Sequence, residues 1–321
     1  MGLEVVLLRG LHTEAVLLLS ALAGLALSSC GGEEPERESA SASSVAASKK
    51  ADGKPEEKVV QELERIVDRG REAFSARDWP QARRLAKLGL RKAEDGERAF
   101  EKQRGLLLLL LADVERENGR EVEARRHYAD AMAIFRVEED DLRRVRVHLS
   151  QSRLEAMLGD YPAAERQLAE ARSLLESVDD PVLKGELLLQ SGVVASRQVR
   201  HEEAMKAFYE ASRIFDVAGR EQQRAEAMLQ LASEEDALGK THQCRRSLDK
   251  ALEAFRELGD KSGEVRALHR LASMAEREGR YRRARSILGK VRELYDELGR
   301  KSEVAKVEQH INALPENDAE D

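Results

Sequence analysis

The sequence predicts an all-α fold, an α-solenoid of about six helix–turn–helix repeats with a capping helix at its C-terminal end. A fixed period is the first observation: a small residue recurs after 42 residues and then after every 40, at Ala82, Ala124, Ala164, Ala204, Cys244 and Ala284. Composition is the second, since charged residues make up 36% and aromatic residues 4%, which suits thin layers closed by small and aliphatic side chains. A period of this length indicates stacked units that each cover the apolar face of the previous one.

The first 29 residues have the character of a signal peptide. Ala15 to Leu27 is apolar or small throughout and carries no charge, although Glu14 directly precedes it. This stretch is shorter than the ~20 residues of a membrane-spanning helix. It has the length of the apolar part of a secretory signal. We therefore expect residues 1–29 to be a signal peptide, and the sequence around Cys30 indicates the lipoprotein type.

The segment Leu27-Ser28-Ser29-Cys30 resembles the lipobox of bacterial lipoproteins. The resemblance implies cleavage before Cys30, lipidation of its sulfur and acylation of the new N-terminus, and several acyl chains together make a stable anchor. Gly31, where aspartate would imply retention at the inner membrane, implies the periplasmic face of the outer membrane. Residues 30–55 are then the lipidated cysteine and a disordered linker. The predicted location is a bacterial cell envelope, with a short uncleaved membrane anchor as the alternative.

Residues 56–299 carry the six repeats, and the sixth shows the pattern best. Apolar residues at helical spacing, from Leu268 to Ala275, give the buried stripe of a first helix. Gly279 ends that helix, and Ala284, Leu288 and Val291 give the buried face of a second. The first repeat is the most degenerate, as a terminal layer often is.

Residues 300–314 repeat the start of a first helix without its partner, which predicts a capping helix. Its inward face is predicted to be Val304, Val307 and Ile311. Residues 315–321 form an acidic tail that we expect to fray.

From Lys58 to Gly299 the repeats resemble the tetratricopeptide repeat: a small residue, Gly-x-aromatic, then Ala, an apolar residue and Ala at helical steps. The unit here is 40 residues instead of the standard ~34, as in the longer variety of the family. The resemblance implies a superhelix whose first helices line a concave groove for a protein or peptide. It does not extend to the carboxylate clamp of chaperone-binding members, because Leu149, Leu189 and Leu229 occupy one of its positions.

Exposed positions of the first helices predict where a partner binds. One row, Asp68, Leu110, Ser150, Gln190, Gln230 and Arg270, is expected to face the groove. The candidate partner-binding residues are Arg146, Arg153, Gln190, Arg197, Gln230 and Arg270. Arginine contacts carboxylates in a bidentate way, and glutamine can read backbone amides, so this set favours an acidic segment. The alternative is a set of ordinary solvated arginines.

Several classes of function are not supported by the sequence. The net charge is −7 with no basic block, so we expect no nucleic-acid partner. No histidine pair has metal-ligand spacing, and no phosphate loop or nucleophile motif is present, so we expect neither a cofactor nor an enzyme. Cys244 and Trp79 are predicted to be packing residues. The leucine run 106–111 is predicted to be buried on two sides, with an exposed partner-binding patch as the alternative.

These observations predict a membrane-tethered scaffold for protein interactions, which would assist a pilus, secretion or outer-membrane complex. Three alternatives stay open: a self-assembling structural protein, an enzyme or ligand sensor with a site inside the superhelix, and a cytosolic regulator whose translation starts further on. The identity of the partner and the oligomeric state are not predicted.

Overall fold

The computed structural model describes residues 55–94 and 100–319, and within these ranges it contains thirteen α-helices and no β-strand. The helices are α1 (Pro55–Ser75), α2 (Trp79–Glu94), α3 (Glu101–Glu117), α4 (Glu121–Val137), α5 (Asp141–Leu158), α6 (Tyr161–Leu175), α7 (Pro181–Arg197), α8 (His201–Val217), α9 (Glu221–Ala237), α10 (Thr241–Glu257), α11 (Lys261–Arg277), α12 (Tyr281–Glu297) and α13 (Lys301–Ala313). The all-α prediction is confirmed. The predicted signal peptide, Cys30 and nearly all of the linker lie outside the described residues.

The helices form six consecutive pairs, α1–α2 to α11–α12, followed by α13. Each helix packs against the one before it, and α1 also packs on α3, α3 on α5, and α5 on α7. First helices of neighbouring layers therefore touch one another in the N-terminal half of the array, which is the arrangement that a solenoid of helix pairs requires.

The residues that mark the period lie at the centre of each layer. Ala82, Ala124, Ala164, Ala204 and Ala284 are fully buried, and Cys244 is 2% exposed. Such small side chains let the two helices of a pair approach closely, because nothing larger than a methyl or thiol separates the backbones. The predicted role of Cys244 as a small buried residue is confirmed: its Sγ lies 3.4 Å from Met274 Sδ.

Each turn within a pair needs one residue in the left-handed region. Gly119, Gly159, Gly239 and Gly279 supply it, with φ between 69° and 81°. Arg77 (φ 60°) and Val199 (φ 62°) hold the same position in the first and fourth pairs. The glycine cap predicted at Gly279 is confirmed, and three other layers also have glycine there. The other two layers adopt the same turn with a residue whose side chain makes this conformation strained.

The leucine run is buried, as predicted. Leu107 to Leu111 are each at most 8% exposed, and Leu106 is half-buried. Leu107 packs with the core of the first layer, whereas Leu108 and Leu109 pack with α4. The helix α3 is thus covered on two sides, and the partner-binding alternative for this run is not supported.

The capping helix is present as predicted, and Val307 is its buried residue, with Val304 and Ile311 half-buried. The expectation of a frayed tail is wrong over residues 315–319. The Ala319 N–H donates to the Gly279 carbonyl at 2.8 Å, and Asp318 Oδ1 accepts from the Arg282 N–H at 2.8 Å. The residue before α12 is Arg280, which makes no side-chain cap, so Asp318 supplies an acceptor that the local sequence lacks.

Candidate functional site: a groove along the first helices

A cavity of about 280 Å³ lies between the first helices α5, α7 and α9. Its lining residues are Arg153, Ala156, Met157, Leu189, Gln190, Val193, Arg197, Glu226 and Gln230. Four of the six predicted groove residues, Arg153, Gln190, Arg197 and Gln230, therefore meet at one place, although they come from three helices. We refer to this cavity as the α5–α7–α9 groove.

The arginines at the N-terminal side of the groove have no ion-pair partner. No carboxylate oxygen in residues 55–94 or 100–319 lies within 4.0 Å of Arg146, Arg153 or Arg197, a separation at which charged atoms pair. Arg153 contacts only Gln190, at 3.5 Å between Nε and Oε1. These guanidinium groups are available to an acidic ligand without first breaking an ion pair.

The corresponding side chains of the next layers are already neutralised. Arg266 lies 2.8 Å from Glu226, and Arg277 makes a bidentate pair with Asp236 at 2.7 and 2.8 Å. Both pairs join α11 to α9, one repeat apart. Arg146, Arg153 and Arg197 thus keep unpaired positive charge on α5 and α7, whereas Arg266 and Arg277, the equivalents of Arg146 and Arg197 on α11, are paired.

Gln190 lies deeper than predicted. The sequence places it among exposed positions, but it is only 4% exposed, because it follows Leu183 and Leu187 on the buried stripe of α7. Its Oε1 contacts Arg153, and its Nε2 has no hydrogen-bond partner. A buried amide donor without a partner is costly in a folded protein. Gln190 thus forms the floor of the groove and presents an unused donor there.

A half-buried carboxylate adjoins the groove. Burial raises the pKa of Glu186, while the charges of Arg146 and Arg153 lower it, and the net pKa lies above its ordinary value. Arg146 therefore acts electrostatically at the edge of the groove without lining the cavity itself.

Two of the predicted positions do not belong to the groove surface. Arg270 is half-buried on α11, where it donates to Ser233 Oγ, and it does not line the cavity. Leu110, which belongs to the same predicted row as Arg270, is 5% exposed and packs against Leu111 and Val114 in the core. Gln190 and Gln230 of the same row do line the groove, so the depth of this position differs from layer to layer.

Two polar clusters were not predicted. Arg116 is 3% exposed and bonds Glu117 at 2.5 Å and Tyr128 at 3.3 Å, and Tyr128 in turn donates to Asp113 at 2.7 Å. Glu234 accepts from Ser196 at 2.7 Å and lies 2.8 Å from His201 Nδ1. The only signal in the sequence is that these polar residues interrupt apolar stripes. The first cluster joins α3 to α4 and the second joins α7, α8 and α9, and we assign both to packing.

The described residues contain no group of three or more histidine, cysteine or acidic side chains that could hold a metal ion. None of the thirteen described helices has both the length and the apolar character needed to cross a membrane.

Two family models match the array. The tetratricopeptide repeat model matches residues 103–177, and the model of soluble NSF attachment protein (SNAP) matches residues 180–314. No curated protein matches the sequence.

Solved structures share the fold at low identity. A Rap protein complexed with Competence and Sporulation Factor is 16% identical with a TM-score of 0.61, over 80% of this chain and 76% of that one. The STAND signal transduction ATPase with a tetratricopeptide repeat sensor from Pyrococcus horikoshii is 15% identical with a TM-score of 0.64, over 81% of this chain and 38% of that one. Aspartyl phosphate phosphatase F from Bacillus subtilis is 16% identical with a TM-score of 0.56, over 84% and 73%.

At these identities the likeness establishes the fold alone. The family model, however, matches two successive layers of an array in which one helix pair recurs in register from α1 to α12. The described array is therefore an α-solenoid of helix pairs that are similar to the tetratricopeptide repeat.

Proposed function

We propose that this protein is a non-catalytic scaffold that binds an acidic segment of a partner protein in the α5–α7–α9 groove. The observation that carries the proposal is the unused Nε2 donor of Gln190 on the groove floor, close to arginines without carboxylate partners. A partner's backbone carbonyl would satisfy the amide, and its carboxylates would contact Arg153 and Arg197. The Gln190 amide and the two arginines can thus bind the same ligand, an extended acidic peptide.

The structural neighbours support a binding role. A Rap protein with this fold is complexed with Competence and Sporulation Factor, and the Pyrococcus horikoshii protein uses its repeats as a sensor. Function depends on the site and not on the fold, so the groove residues carry the specific proposal.

Site-specific photocrosslinking tests the groove in cells. Met157 is 54% exposed and lines the groove, so a benzophenone side chain introduced there should give a defined adduct with the partner. The double variant Arg153→Glu, Arg197→Glu should abolish that adduct, because two contacts to carboxylates become repulsions. Its melting temperature should stay unchanged, since both side chains are exposed and unpaired.

The matched control places the same photoreactive side chain at Val217, which is 91% exposed at the end of α8. Adducts formed equally from Met157 and Val217 would indicate unspecific contact. An adduct from Met157 that survives the double charge reversal would exclude the acidic-segment proposal.

We also propose that the scaffold is anchored in the cell envelope through a lipid on Cys30. The lipobox-like sequence ending at Cys30 supports this location, and the first helix of the array begins about 25 residues later, at Pro55. From that position the groove would serve a pilus, secretion or outer-membrane complex, and the crosslinked partner would identify which. The variant Cys30→Ser should move the protein out of the membrane fraction and abolish palmitate labelling. Unchanged partitioning would contradict the anchor without bearing on the groove.

A further inference from the structure

A second and larger cavity, of about 420 Å³, lies between the second helices α8 and α10 and is floored by α9. Met228, Leu231 and Glu235 of α9 line it, whereas Glu226 and Gln230 of the same helix line the α5–α7–α9 groove. Glu226 and Glu235 are nine positions apart, which is two and a half turns of a helix with 3.6 residues per turn. Their side chains therefore point in opposite directions from the helix axis. The α8–α10 pocket therefore opens on the face of α9 opposite the groove.

Four cations surround this pocket. Lys206 comes from α8, Lys240 from the turn before α10, and Arg246 and Lys250 from α10. None of the four has a carboxylate within ion-pair distance in the part of the chain that the structure describes. Because the net charge of the chain is −7, four cations without a carboxylate partner around one cavity form a local positive site.

The interior of the pocket combines an apolar wall with one buried polar group. Met205, Met228 and Leu231 supply the wall. Glu235 is 7% exposed, and its Oε2 has no hydrogen-bond partner. A buried carboxyl oxygen without a partner, beside a cavity of this size, marks a place where a ligand atom completes the hydrogen bonding.

We propose that the α8–α10 pocket binds a small amphipathic organic anion, whose acidic head lies among Lys206, Lys240 and Arg246 and whose apolar body lies against Met228 and Leu231. In its protonated form, Glu235 would donate a hydrogen bond from Oε2 to this acidic head. The volume falls within the range of ~300–1,000 Å³ that small-molecule sites have.

The surroundings of Glu235 make it a weaker obstacle to an anionic ligand than a solvated carboxylate. Burial raises the pKa of Glu235, and this outweighs the lowering by Ser247, Lys240 and Arg246. A raised pKa makes the carboxyl easier to protonate, and the protonated form can donate a hydrogen bond to an anion.

A matched pair of probes tests the proposal on the purified full-length protein. Naphthaleneacetate carries an apolar ring and a carboxylate, and naphthaleneacetamide is its uncharged counterpart. Isothermal titration calorimetry should show one naphthaleneacetate molecule bound per chain, and about tenfold weaker binding of naphthaleneacetamide. The double variant Lys206→Glu, Arg246→Glu should weaken acetate binding about tenfold or more and leave the amide nearly unaffected.

The groove variant Arg153→Glu, Arg197→Glu is the control, because it changes the net charge by the same amount on the other face of α9. It should bind naphthaleneacetate as the wild type does. Acetate binding weaker than about 1 mM, equal binding of acetate and amide, or a loss in the groove variant instead of the pocket variant would each overturn the proposal. The groove proposal depends on the photocrosslinking result and is independent of this outcome.

Discussion

Val199 holds a backbone conformation that β-branched residues rarely adopt. Its φ is 62°, at the turn between α7 and α8 where four other layers have glycine. The left-handed backbone conformation costs a residue with a side chain about 1–2 kcal/mol, whereas glycine adopts it without this cost. The Val199 side chain is 69% exposed, so its removal loses little packing.

We therefore expect Val199→Gly to raise the free energy of unfolding by about 0.5–1 kcal/mol, the strain relieved less the extra chain entropy of glycine in the unfolded state. Urea denaturation measures the change. Val217→Gly is the control, because Val217 is exposed in a helical position at the end of α8. That variant should instead lose stability, by up to about 1 kcal/mol. A loss of stability in both variants would contradict the assignment of strain to Val199.

His148 makes stability depend on pH. Burial lowers the pKa of His148, and its Nδ1 lies 2.8 Å from Gln167 Oε1. Below the ordinary histidine pKa of about 6.5 the unfolded chain binds a proton that the folded chain resists, so the free energy of unfolding falls as the pH decreases. Burial shifts the pKa of His127 and His269 in the same direction.

The variant His148→Gln should show a smaller loss of stability between pH 7.5 and pH 5.5 than the wild type, as measured by urea denaturation at each pH. His242→Gln is the control, since His242 is exposed. Equal pH dependence in wild type and His148→Gln would show that this imidazole does not contribute.

At the scale of the helices, close approach depends on particular glycines. In α7, a Cβ at Gly192 would lie 2.6 Å from Cε1 of Phe208 on α8. Phe208 is 1% exposed and cannot move aside without disturbing the fourth layer. In α12, by contrast, a Cβ at Gly289 would have no atom outside its own helix within 4 Å.

Gly192→Ala should lower the free energy of unfolding by about 1–3 kcal/mol, the usual cost of overpacking a core. Gly289→Ala should raise the free energy of unfolding by about 0.5–1 kcal/mol, because alanine favours the helix and its methyl group clashes with no other residue. Thermal denaturation of the two variants side by side measures both. Stabilisation by Gly192→Ala would mean that the α7–α8 interface is looser than the structure has it.

At the scale of the whole molecule, what could be predicted depends on whether a feature repeats. The layers and their buried small residues recur every 40 residues, so spacing alone located Ala124 and Ala284 correctly. The groove was partly predictable because Arg153 and Arg197 lie one helical turn apart within the repeat, at the positions that Val193 and Met157 fill in the neighbouring layers. Gln190 was misplaced because neighbouring layers decide how deep a position lies.

The α8–α10 pocket follows no repeat position, since Lys206, Lys240 and Glu235 meet only through the packing of three helices. Asp318 reaches α12 from the end of the chain, which no local pattern indicates.

The end of the array shows how stability is distributed along it. In a stack, each layer rests on its neighbours, so removing one end should weaken adjacent layers and spare distant ones. Val307 of α13 packs in one cluster with Leu288 and Val291 of α12, both fully buried. Without α13 this apolar face would be open to water, and burial of one such side chain contributes roughly 1.5–3 kcal/mol.

Deletion of residues 301–321 should therefore speed amide hydrogen exchange in α11 and α12 while leaving α3 to α8 at wild-type rates, as followed by mass spectrometry. Deletion of residues 315–321 alone is the control. It removes the Asp318 and Ala319 contacts but keeps Val307, so its effect should be confined to the first turn of α12. Faster exchange throughout the array after the longer deletion would show instead that the six layers unfold as one unit, and that stability does not pass from layer to neighbouring layer.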